Sequence, residues 1–186
     1  MPRGTAEAGA PAAPLFTHWQ QKHTELWANA PLRLRHRVHE LPLFSRDSLA
    51  DLIDRYPREH YALVHMGAQG DRRLWREGDL AGLAGHKVME AIAKGRMWLN
   101  RRRVSEVDRR FGEVLDAIFG EVEARVPGYR TFSRTSGILI SSPLAQVYYH
   151  ADLPGQSLWQ IEGRKRVYVY PPKEPFLSAA QIEHIA

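Results

Sequence analysis

The chain has 186 residues, a length that fits one domain of ordinary size, and its 44% hydrophobic content is enough to build a core. Cysteine is absent, which excludes a disulfide framework, a thiolate zinc site and a cysteine nucleophile, and leaves histidine and carboxylates as metal ligands. The net charge of +5 is an arginine excess scattered through presumed helices with acidic neighbours, a pattern that argues against a nucleic-acid partner.

Residues 1–14 are an Ala/Pro/Gly mixture without a hydrophobic signal core and read as a disordered leader. No apolar run approaches the roughly 18 residues of a membrane span, so we expect a cytoplasmic protein with no membrane partner. From 15 to 128 the pattern is mainly helical, with one or two strands. Trp19, Leu26 and Trp27 fall at helix-like spacing, and Leu32 and Leu34 look strand-like after Pro31. His36, His39 and Glu40 match no metal spacing with a clear mechanism and read as surface groups.

Ser45 is placed to cap a helix carrying Leu49, Leu52, Ile53 and Tyr56, which ends before Pro57. Tyr61 to Met66 reads as a buried strand. Gly67 to Gly85 reads as a loop, and Trp75 and Trp98 anchor either side of a helix through Val88, Met89 and Ile92. The run Arg101-Arg102-Arg103 is taken as a solvated turn. Val107, Phe111, Val114, Leu115, Ile118, Phe119, Val122 and Val126 then recur at three- and four-residue steps, which predicts a long amphipathic helix ending at Pro127-Gly128. Such a helix could pack between subunits as readily as within one, which leaves a homodimer open. Ile138 and Ile140 alternate as in a strand, and Ser178 with Gln181 forms a capping-box pattern for a last helix.

The chemistry concentrates between Ala145 and Pro172. Alternating aromatic and β-branched residues, broken at Leu153-Pro154-Gly155-Gln156 and at Gly163, predict a three-strand meander, with Pro154-Gly155 suited to a type II turn. His150 and Asp152 are two apart, so on a strand both side chains leave one face, and they can take adjacent corners of a metal's coordination sphere. Lys165 shares parity with Val167 and Val169 and is expected to face inward, where an ammonium needs an anion.

His150-Ala-Asp152, Gln160-Ile-Glu-Gly163-Arg-Lys165-Arg and Tyr170-Pro-Pro together resemble the core of the JmjC and cupin-like dioxygenases related to the asparaginyl hydroxylases. The resemblance implies Fe(II) bound by His150 and Asp152, with Lys165 holding the distal carboxylate of 2-oxoglutarate. It also implies Gln156 and Gln160 as pocket partners and Trp159 packed beneath them. Family members often carry a hydroxyl residue three places before the metal histidine; here that place is Val147, with Tyr148 as the nearby hydroxyl. The family's second metal histidine lies on a late strand, well beyond Pro172. The expected fold is therefore α+β, a helical region over 15–128 packed on the first part of a double-stranded β-helix over 129–186, with the C-terminal part of the barrel outside this sequence. The implied activity is hydroxylation of a small-molecule or peptide substrate. The alternative is a non-catalytic cupin-like regulatory or interaction module in which His-x-Asp is residual.

Overall fold

The structure is a computed structural model, and it describes residues 13–67, 75–152 and 155–185. Most of the leader and the Pro154 position of the expected turn lie outside the described residues. The fold mixes helices with one small, open, antiparallel sheet of four strands in the order β2-β1-β3-β4.

A short helix α1 (Gln21–Leu26) follows an N-terminal arm, which is bridged to the next extended stretch at Phe16 and His36. Helix α2 (Arg46–Asp54) starts where the Ser45 side chain accepts the Ser48 amide N–H, which satisfies one of the donors that an opening helical turn leaves without a partner. Strand β1 (Tyr61–His65) pairs on one side with β2 (Arg76–Gly78) and on the other with β3 (Met97–Arg101), and β3 pairs with β4 (Ile138–Ser141). Helix α3 (Gly85–Lys94) crosses between β2 and β3, and a short α4 (Val104–Val107) leads into the long α5 (Arg109–Arg125). Helix α6 (Ala179–Ile185) is opened by the expected box: Gln181 N–H donates to Ser178 Oγ at 3.2 Å, and Ser178 N–H donates to Gln181 Oε1 at 2.8 Å.

Alternation gives the sheet two unlike faces. Tyr61, Leu63 and Leu99 point to the helical layer, where they join Leu52, Ile53, Val88, Ile92, Val104 and Phe111 in the principal core. A second cluster joins Phe16 and Val38 of the arm to Ile118, Val122 and Val126 of α5, with Trp159 and Ile161 packed against it. On the other face of the sheet Trp98 meets Trp75 at 5.9 Å between ring centroids, and Trp75 meets Tyr148 at 4.9 Å. That aromatic column ties the segment after β4 to the sheet.

Several expectations change. Leu32 and Leu34 lie outside any strand, and β2 falls within the stretch read as a loop. The described residues between Ser142 and Leu177 carry no strand, so the meander does not form. Val167 and Val169, expected to point inward, are 56% and 64% exposed, because no partner strand takes their backbone groups and no layer covers the alternation. The arginine triplet is split: Arg101 ends β3 with its side chain wholly buried over the Tyr56 ring, while Arg102 and Arg103 are exposed.

Candidate functional site

The segment leaving β4 is held by its aromatic side chains, not by a ladder. Tyr148 lies on Trp75, while the Tyr149 hydroxyl donates to the Phe176 carbonyl at 2.7 Å and its ring meets Tyr170, which in turn meets Phe176. These anchors on neighbouring residues fix the backbone that carries His150.

His150 Nδ1 lies 2.7 Å from the Tyr148 carbonyl oxygen. A carbonyl can only accept, so Nδ1 carries hydrogen and donates. Nε2 then faces Asp152 Oδ2 at 3.2 Å. A neutral imidazole in that tautomer would set its Nε2 lone pair against a carboxylate lone pair. The approach is attractive only with a cation shared between them: a proton, giving an imidazolium–carboxylate pair, or a metal ion. With the two side chains 56% and 49% exposed, a plain ion pair here adds at most about 1 kcal/mol to stability.

The same distance tests the metal reading. Imidazole nitrogen and carboxylate oxygen bound at about 2.1 Å in neighbouring octahedral positions are about 3.0 Å apart. The observed 3.2 Å fits that arrangement, and the Nδ1–H donated to a carbonyl is the usual support for an Nε2 ligand. Among the described residues, no group of three His, Asp or Glu side chains is placed to hold a metal ion.

The other expected residues are distributed around this pair in different ways. His150 opens onto a groove of about 390 Å³, whose opposite wall is the stripe Leu177, Ala180, Gln181, His184 and Ile185 along α6. Lys165 does not line it. Its side chain is exposed by surface area, yet neighbouring atoms withdraw enough water to lower its pKa below the usual lysine value, with no carboxylate offsetting the loss. The ammonium still meets water, so the loss biases its charge without removing it. Gln156 is exposed. Gln160 lines a separate groove with His36 and His39, and its amide donates to the Glu162 carbonyl at 2.6 Å. Trp159 packs against Phe16 and His36, so it serves the arm.

One feature is missed by pattern: the buried Arg101 is hidden in a basic run that reads as solvent-facing. His184 is readable in the sequence as a candidate third ligand but is disfavoured there because it sits on a terminal helix and not on a strand; it lines the groove with His150, and among the described residues no metal-holding group includes it.

Comparison with known proteins finds no matching family model, no matching curated protein and no matching solved structure.

Proposed function

We propose that the chain carries part of the site of a non-haem Fe(II), 2-oxoglutarate-dependent oxygenase of the cupin-like or JmjC type, with His150 and Asp152 as two of the metal ligands. One observation carries this reading: Nε2 of an imidazole whose Nδ1 is committed as a donor faces a carboxylate oxygen at 3.2 Å, an arrangement that calls for a cation between them. Iron and 2-oxoglutarate would supply the oxidising power; the protein's part is to orient and shelter.

The residues' tasks follow from their contacts. Tyr148 sets the imidazole through its carbonyl, and its ring fixes that carbonyl against Trp75. Asp152 supplies the negative charge that offsets a divalent ion. Lys165 is the cation that the resemblance, not a contact, assigns to the distal carboxylate of 2-oxoglutarate; its exposed ammonium is free to meet an incoming anion. In this reading a double-stranded β-helix is the enclosing fold, and the substrate is a small molecule or a peptide side chain.

The absence of a third ligand among the described residues favours a second reading, a cupin-like module without turnover. Succinate production separates the two. With Fe(II) and 2-oxoglutarate supplied to the longest version of the protein, the oxygenase reading predicts succinate from the wild type and background levels from His150→Ala and Asp152→Ala. Equal succinate from all three would remove the iron assignment.

A further inference from the structure

A second groove, of about 460 Å³, shares no lining residue with the one at His150. Its walls come from separate stretches of chain: His18 from the arm, Arg35 and His36 from the bridged stretch, His39 from the 3-10 turn Val38–Glu40, and Gln160 from the late segment. The acid at its edge is already neutralised, since Arg37 Nε donates to Glu40 Oε2 at 2.8 Å. Beyond Gln160, Glu162 is taken by Arg46 of α2.

Arg35 and His36 are thus left lining the groove without a counter-ion among the described residues, while His39 shares Glu40 with Arg37. His36 is the most constrained: its ring lies 5.1 Å from Trp159 and 5.7 Å from His39, and its Nδ1 is buried with no hydrogen-bond partner. A buried donor or acceptor left unmatched is costly, and the ring that carries it is part of the groove wall beside Arg35. Burial first, and His39 second, hold the His36 pKa below the ordinary value of 6.5. Both causes would be offset by an anion.

We propose that this groove binds a small molecule carrying a phosphate or sulfate group, held by Arg35, His36 and His39. The three donors come from the short span 35–39, where the chain turns into Val38–Glu40, and present a guanidinium and two imidazoles, a mixed set that suits an anion with oxygens pointing several ways better than a planar carboxylate matched by one arginine fork. The excess of cations over the one neutralised acid disfavours a metal ion. The site is independent of the iron reading.

Inorganic sulfate is the probe, because its charge is constant through the histidine titration range, so any pH dependence belongs to the protein. The histidine ring resonances of the full chain are followed by NMR as sulfate is added. Saturable shifts at His36 and His39 are expected, with the His36 pKa rising by about one unit at saturation, which is by linkage an approximately tenfold tighter hold on its charged form. Affinity falls as pH rises through the histidine range, as His36 loses charge. Arg35→Gln and His39→Gln, both at exposed positions and harmless to packing, each weaken sulfate about tenfold, and His150→Ala leaves it unchanged. Linear, unsaturable shifts, unchanged affinity in the Arg35 and His39 variants, or equal shifts with acetate would each overturn the proposal.

Discussion

Arg101 sets the sharpest question at the scale of a single residue. Its side chain is fully buried, its three guanidinium nitrogens have no hydrogen-bond partner among the described residues, and burial lowers its pKa to about 10 despite the opposing influence of Tyr56 and Asp54. A buried cation without a matched partner costs more than an apolar side chain of similar volume. Arg101→Met should therefore be neutral to stabilising, by up to about 4 kcal/mol, as a rise in the denaturant midpoint at constant slope. A loss of about 3 kcal/mol or more would mean that the guanidinium is paired. The spacing of His150 and Asp152 predicts two side chains on one face of a strand; the side chains do meet, Nε2 to Oδ2 at 3.2 Å, but no strand carries them. Their hydrogen-bond roles were not legible, because the Nδ1 donation depends on a carbonyl that only the folded backbone positions.

Among the elements, the helices were the legible part. The 3.6-residue rhythm through Val107 to Val126 and the caps at Ser45 and Ser178 are local, so they survive any arrangement of the remainder. Strand β3 was missed because Met-Trp-Leu-Asn-Arg alternates no clear apolar set, and it is defined by its neighbours on both sides. The meander fails for the complementary reason: alternation after Gly163 predicts a strand, but a strand needs a partner for its backbone. Amide hydrogens over 164–170 should accordingly exchange far faster than those of β1 and β3, as read by hydrogen exchange and mass spectrometry. Comparable protection would show that this segment is paired. Gly85 is set by a close approach of a different kind, since a Cβ there would lie 2.0 Å from the Ala50 carbonyl oxygen. Gly85→Ala should push α3 away from α2 and cost about 1–3 kcal/mol in chemical denaturation.

For the whole molecule, the division of labour follows the two faces of the sheet. Helices α2, α3 and α5 complete the core on one face, and on the other the Trp98, Trp75 and Tyr148 column anchors the segment bearing His150. No helix among the described residues is long and apolar enough to cross a membrane. In the proposed function a short, aromatic-pinned segment presents one imidazole and one carboxylate to a metal ion. Electron paramagnetic resonance of Mn(II) titrated into the full chain tests this most directly. The account predicts one saturable site, weakened about tenfold or more by His150→Ala and likewise by Asp152→Ala. Mn(II) binding that is undetectable in the wild-type chain, or equal in all three proteins, would contradict it.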